Sequence, residues 1–168
     1  MKRVVCLVAA CLVLVGSADA LQWGVKAGGA VNFKPSPSRW GGHGSIEIPI
    51  SEDYPTSISA FFEMYKKFGI TQMPTGLAIH YKAPLSRHGG TIYFAGGGGI
   101  IRISGFDAAT NVSRSQTNGL MTVAGGTVFP VTEAFGVFGQ FRWMKAFASN
   151  AVNEYGIQFG LHFSLGNE

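Results

Sequence analysis

The residues of this chain that could do chemistry are few, and their spacing decides which chemistry is open to them. The histidines, His43, His80, His88 and His162, stand at intervals that match no metal-ligand pattern. Gly96-Gly97-Gly98-Gly99 lacks the Lys-Ser/Thr of a phosphate-binding loop and opens no helix, so it reads as a crowded strand. His162-Phe163-Ser164 sets an imidazole and a hydroxyl two residues apart, which in a strand is one face. That is the single arrangement with a hydrolytic reading. The larger set is Lys26, Glu47, Glu63, His80, Lys82, Arg102, Gln140, Arg142, Gln158 and His162. Most of them alternate with bulky apolar neighbours, and the chemistry they suit is mutual pairing away from water. No catalytic residue, metal site or cofactor is expected.

The elements that must position this set are strands. Tyr155 to Leu165 is the clearest: Tyr155, Ile157, Phe159, Leu161, Phe163 and Leu165 alternate with Gly156, Gln158, Gly160, His162 and Ser164. Successive strand side chains point to opposite faces, so this ribbon is greasy on one face and wet on the other.

The chain opens with an export signal. Lys2 and Arg3 precede an apolar run from Val4 to Val15, too short to span a bilayer, and Ala18-Asp19-Ala20 fits a small-x-small cleavage site. Residues 1–20 are therefore expected to be removed, leaving 21–168 as one domain. Val8-Ala9-Ala10-Cys11 resembles a lipoprotein box, but a cut there leaves too little apolar sequence ahead of it; lipidation at Cys11 ranks below cleavage after Ala20. Cleavage removes both cysteines, Cys6 and Cys11, and with them any disulfide or thiol chemistry. It also removes Lys2, Arg3 and Asp19, taking the net charge from +4 to +3. That is too mild, and too dispersed, for nucleic acid.

Only 13% of the residues are charged, against about a quarter in a soluble domain. Yet beyond the signal no apolar run reaches the ~18 residues of a membrane helix. Low charge, no membrane helix and widespread alternation together describe a transmembrane β-barrel, which needs lipid-facing residues at every second position only. Of 24 glycines all but Gly16 follow the signal, and many fall opposite the bulky residues, which suits a small barrel closing tightly round its lumen.

Eight strands are expected, in an all-β, up-and-down antiparallel barrel. They cover Leu21–Phe33, Gly44–Ile50, Thr56–Lys67, Thr75–Ala83, Thr91–Ser104, Gly119–Val131, Phe135–Lys145 and the closing stretch to Leu165. In the third, Ile58, Phe61, Phe62, Tyr65 and Phe68 also fit a helical stripe; its neighbours favour strand. The fifth is apolar on both faces, and Arg102 suggests that its even positions face inward. An even strand number returns both termini to one side, the periplasm. The tightest connection, Thr132–Ala134, then falls periplasmic and the longest, Gly105–Asn118, falls outside. Asn111-Val112-Ser113 is a glycosylation triplet that marks an exposed loop and nothing more.

On this topology Trp23, Val25, Ile79, Val137, Phe141, Ile157, Phe159 and Leu161 face lipid. Trp23, Tyr81, Tyr93, Phe135 and Phe163 form an aromatic girdle at the periplasmic rim, and Phe33, Trp40, Trp143 and Tyr155 form one at the outer rim.

Trp23-Gly24-Val25-Lys26-Ala27-Gly28, Gly125 to Thr132 with Phe135 to Trp143, and Gly156 to Leu165 resemble the opening strand, penultimate hairpin and closing strand of the small outer-membrane β-barrel superfamily. That group comprises OmpX-like, OmpW-like and opacity-type surface proteins. The resemblance is one of pattern over the whole stretch after the signal, without a signature residue. It implies an outer-membrane location, contact with lipid and lipopolysaccharide, and handling by the barrel-assembly machinery. One departure stands out: such barrels commonly end on an aromatic residue, whereas here Phe163 is followed by Ser164-Leu165-Gly166-Asn167-Glu168.

Inside so small a barrel, charges must pair. The expected lumen network sets Glu47 and Glu63 among Lys26, Arg102 and Arg142, with His80, Gln140, Gln158 and His162 around them. A polar plug that stiffens the barrel ranks above a narrow pore, with a structural or surface-interaction role carried by the outer loops. The His162-x-Ser164 spacing is similar to that of lipid A deacylases, but both side chains are expected in the lumen, away from the bilayer. A soluble periplasmic ligand-binding barrel ranks low, because so little charge would leave it a poor water-facing surface.

Overall fold

The computed structural model describes residues 23–34, 36–50, 55–85, 89–107, 112–148 and 152–165. The stretch expected to be a signal peptide, with Cys11 in it, lies outside these residues. Eight strands follow in order: β1 (Trp23–Lys34), β2 (Arg39–Pro49), β3 (Thr56–Lys67), β4 (Ile70–Pro84), β5 (Thr91–Asp107), β6 (Val112–Pro130), β7 (Phe135–Ala146) and β8 (Asn153–Leu165). Each pairs antiparallel with the next, and β8 returns to β1, closing the barrel. Closure leaves no strand edge unpaired along the body of the sheet, which is how a barrel avoids edge-to-edge association.

The β1–β8 seam shows why the glycines are where they are. Gly28 faces Gly160 in register. A Cβ on Gly28 would lie 2.0 Å from the carbonyl oxygen of Phe159, and one on Gly160 would lie 2.2 Å from that of Ala27. No other residue fits there, so the two strands approach as bare backbone.

β3 is a strand, with alternate residues buried from Ser57 to Tyr65. Phe61 is buried and Phe62 exposed, so the adjacent phenylalanines part to opposite faces, which a helical stripe does not allow.

The expected inward face of β5 is corrected. Its odd positions point inward: Tyr93 is 0% exposed, Ala95 and Ile101 are buried, while Phe94 is 63% exposed and Arg102 is exposed. The glycines impose this parity. A Cβ on Gly97 or Gly99 would come within 2.1 Å of a β4 carbonyl oxygen, so the bare positions must be the crowded ones. Because the strand period is two, one such constraint sets the face of every residue in it.

The expected distribution of connections is corrected too. β3 and β4 are joined by Phe68-Gly69 alone, both at positive φ (49° and 74°), the backbone signs of a tight two-residue hairpin turn. This is the shortest connection among the described residues, and it lies at the end of the barrel away from the termini. The stretch expected as the longest loop, Gly105–Asn118, is mostly strand: β5 and β6 stay paired out to Asp107 opposite Val112. β7 pairs with β6 only as far as Leu120 opposite Ala146, so the β5–β6 hairpin runs on past its neighbour. There Ser113 to Thr117 are all exposed, and a ribbon wet on both faces carries no apolar alternation to reveal it.

The exterior is apolar. Leu77, Ile79, Phe94, Val123, Phe141, Ile157, Phe159 and Leu161 are exposed large hydrophobics. The interior combines polar side chains with an apolar cluster of Phe61, Ala78, Ile101, Leu120 and Met144, against which Ile103 and Ala146 pack.

Candidate functional site: the lumen

Alternation in β1, β2, β3, β4, β7 and β8 carries one polar file from each strand into the barrel. Nearer the end where β1 begins, Glu47 is the centre. Lys26 Nζ donates to its Oε2 at 3.0 Å, Ser57 Oγ donates to its Oε1 at 2.5 Å, and Lys82 pairs with the same Oε1. Lys26 and Glu47 are each 2% exposed, whereas the Lys82 side chain is 38% exposed at the mouth. The Lys26 ammonium also stands 4.0 Å from the centroid of the Tyr93 ring.

Farther along the axis the centre is Glu63. Its Oε2 accepts from Arg142 Nη1 and, at 2.9 Å, from the Tyr65 hydroxyl; its Oε1 accepts from Gln158 Nε2 at 2.5 Å. Tyr93 joins the two centres: its hydroxyl donates to Gln140 Oε1 at 2.6 Å, and Gln140 Nε2 donates to Gln158 Oε1. Arg142 Nη2 reaches Asn32 Oδ1 at 3.2 Å and the Tyr65 oxygen at 3.1 Å.

Toward the far mouth a third carboxylate, Glu154, accepts from Asn32 Nδ2 at 3.0 Å and Gln72 Nε2 at 2.8 Å. Arg39 Nη1 donates to Gln72 Oε1 at 2.7 Å and lies 3.6 Å from Glu154 Oε1. The chain of contacts therefore runs from Lys82 near one mouth to Arg39 near the other. Each buried carboxylate has a cation beside it, which is what low polarity demands, since a lone buried charge is strongly unfavourable.

Lys26, Glu47, Glu63, Gln140, Arg142 and Gln158 meet in this network. His80 sits beside it, its Nε2 2.7 Å from Ser59 Oγ. His162 is half-buried on the inward face, opposite Lys26 in register. Arg102 does not take part: it points outward, opposite Met73 and Thr117 in the neighbouring strands. Tyr93 is corrected with it, from girdle to lumen, because both belong to the strand whose facing was misread.

The other aromatics expected in the girdles lie on the outer face. Trp40 (69% exposed), Tyr81, Phe33 and Phe163 are exposed, and Trp23, Phe135, Trp143 and Tyr155 are half-buried. Phe135 and Phe163 stack at 5.7 Å at the end where β8 finishes, and Phe141 and Tyr155 at 6.2 Å nearer the other. Val25 and Val137 share that face with the exposed hydrophobics already named.

Arg39, His43, Gln72 and Glu154 also line the lumen and were not foreseen, while Asn32 and Tyr65, on the same strand faces as Lys26 and Glu63, join a network they were not assigned to. Glu154 and His43 each continue an alternation that was stopped one residue short. Gln72 lies ahead of the expected strand Thr75–Ala83; β4 begins at Ile70, and Pro74 is buried within it.

Such a barrel, apolar outside and polar within, has the fold of the small eight-stranded outer-membrane proteins. Three solved structures share it. Neisserial surface protein A has a TM-score of 0.69 at 13% identity, covering 86% of this chain and 97% of that one. The N-terminal β-barrel domain of OprF from Pseudomonas aeruginosa has a TM-score of 0.66 at 15% identity, covering 86% and 97%. Ail of Yersinia pestis, in complex with the heparin analogue sucrose octasulfate, has a TM-score of 0.63 at 10% identity, covering 86% and 99%. No protein-family model matches the chain, and no curated protein matches it.

Proposed function

We propose that the chain is an integral outer-membrane barrel with a closed lumen, exported by removal of residues 1–20 and serving surface structure or interaction. The observation that carries this reading is the filled interior. The side-chain ladder and the apolar cluster fill much of the lumen among the described residues, and the cavity between the carboxylate centres holds about 30 Å3, room for about two waters, which supports a lumen without a solute path. The exterior supports a hydrocarbon surround, since its exposed residues are the large apolar ones. Both termini lie at the periplasmic end, and lipid, lipopolysaccharide and the assembly machinery are its partners there and in the membrane. At the opposite end the contact surface is the extended β5–β6 hairpin, because the connections are short.

His162 and Ser164 face the lumen rather than the bilayer, so an acyl chain has no route to them. That argues against a lipid-cleaving role.

Reconstitution in planar bilayers tests the closed lumen. The expected record is silent under applied voltage; steady open currents would mean a narrow pore. Heat-modifiable gel mobility of the outer-membrane fraction tests the location.

A further inference from the structure

The cavity in the lumen lies between the Glu47 and Glu63 centres, and its wall includes Lys26, His43, Ser59, Glu63, His80 and Arg142. Three buried nitrogens on that wall have no hydrogen-bond partner, His43 Nδ1, His80 Nδ1 and Arg142 Nε. All three residues are more than nine-tenths buried. Arg142 Nε carries a hydrogen and can only donate. His80 Nε2 faces the Ser59 hydroxyl; when that hydroxyl donates to it, Nδ1 holds the ring hydrogen and also donates. Lys26 has three ammonium hydrogens, of which Glu47 takes one and the Tyr93 ring faces another.

Apart from the hydroxyls of Ser45, Ser59 and Thr122, which donate as well as accept, acceptors are short on the same wall. Both Glu63 oxygens already accept from Arg142, Tyr65 and Gln158. The Gln140 oxygen accepts from Tyr93. His43 Nδ1 stands 3.4 Å from Glu63 Oε1 without forming a hydrogen bond. The formal charges on the wall itself are Lys26 and Arg142 against Glu63; Glu47, bonded to Lys26, does not line the cavity. The wall is therefore donor-rich and net positive, the opposite of a cation site.

We propose that this cavity is an internal binding site for one small monovalent anion of halide type, held by His80 Nδ1, Arg142 Nε and the Lys26 ammonium. The volume, room for about two waters, suits a single small ion. The proposal rests on the closed lumen argued above, since an open pore would hold the ion only in passing.

Bromide is the probe. Crystals of the full barrel grown in sodium bromide are measured at the bromine absorption edge. One anomalous peak is expected on the axis between His80 and Arg142. His80→Phe keeps the ring and removes the donor, and Ala95→Leu fills the cavity from its wall without touching a charge; the peak is lost in both. A wild-type map with water alone at that position, or with bromide only on the outer surface, overturns the site. Should either variant fail to fold, bromide in place of gluconate at constant ionic strength must still raise the urea midpoint of the wild type. No rise there also overturns it. Bilayer recordings separate the two ideas: a silent barrel without bromide loses the anion site alone, and a conducting one loses the closed lumen.

Discussion

Glu63 on β3 and Arg142 on β7 lie 79 residues apart in the chain and pair across the lumen, with side chains 1% and 3% exposed. Their strands are not neighbours in the sheet, so the pair ties opposite walls together. Replacing Arg142 with Met leaves Glu63 charged and buried without its cation. The expected cost is about 3–5 kcal/mol of unfolding free energy. Arg142→Met with Glu63→Gln should recover most of it, because no buried charge is then left without its counter-ion and Tyr65 and Gln158 remain beside the amide. Urea unfolding from lipid vesicles reads both; equal losses in the single and double variants would mean that the pairing itself is idle.

Glu47 has two cations of unequal burial, and that inequality can be measured. Lys26→Met removes the fully buried one and should cost about 3–5 kcal/mol. Lys82→Met removes one that keeps its head partly in water, and should cost about 1 kcal/mol or less. The same unfolding assay ranks them; a larger loss at Lys82 would place the wet end of the lumen wrongly.

Tyr93 and Arg102 decide the facing of β5. Tyr93→Phe strips the hydroxyl that satisfies Gln140 and should cost about 1–3 kcal/mol. Arg102→Ala touches no buried partner and should stay within about 0.5 kcal/mol of wild type. The opposite order would restore the reading in which Arg102 points inward.

That misreading shows what a sequence of this kind exposes and what it hides. In β1, β4 and β8 one face is bulky and the other small or polar, so alternation sets both the strand and its facing: Lys26, His80 and Gln158 could be turned inward on pattern alone. β5 is apolar on both faces from Ile92 to Ile101, so a single charge, Arg102, stood as the guide. Near the rim a cation can extend outward to water, and it is then no marker of the lumen. The outer part of β6 fails for the converse reason, being polar on both faces. Of the lumen's apolar members, Phe61 shares the inward face of Glu63, whereas Ile101, Leu120 and Met144 lie in strands whose alternation is broken, and a barrel this narrow packs its interior with side chains of either kind.

The outward face makes a depth-dependent prediction. Phe159 lies in the middle of β8, about half exposed on the apolar exterior. Phe159→Arg should cost about 2–4 kcal/mol in a bilayer. Trp40, one residue into β2 and 69% exposed at the rim, should accept Arg for about 0–1 kcal/mol. Equal tolerance at the two positions in vesicles would mean that the middle of the barrel is not in hydrocarbon.

Gly96 and Gly97 are adjacent, yet a methyl group meets different surroundings at each. A Cβ on Gly96 meets nothing within 4 Å, while one on Gly97 would lie 2.1 Å from the Leu77 carbonyl oxygen and 2.8 Å from the Ala78 Cβ. The first points out to open surroundings and the second into β4, and neither residue has a positive φ. Gly96→Ala should therefore be neutral or gain about 0.5–1 kcal/mol, since alanine gives up less backbone freedom on folding. Gly97→Ala must push β4 and β5 apart against backbone that cannot yield, and should cost about 1–3 kcal/mol or more. The damage should show first as a slower-folding barrel, with loss of the heat-modifiable band on gels before any change in expression. Since the hydrogen-bond ladder between these two strands is continuous from Ile70 to Pro84, one residue's displacement is carried along the seam. Gly97→Ala behaving like Gly96→Ala would mean that β5 faces the other way, and with it Tyr93, Ile101 and the link between the two carboxylate centres.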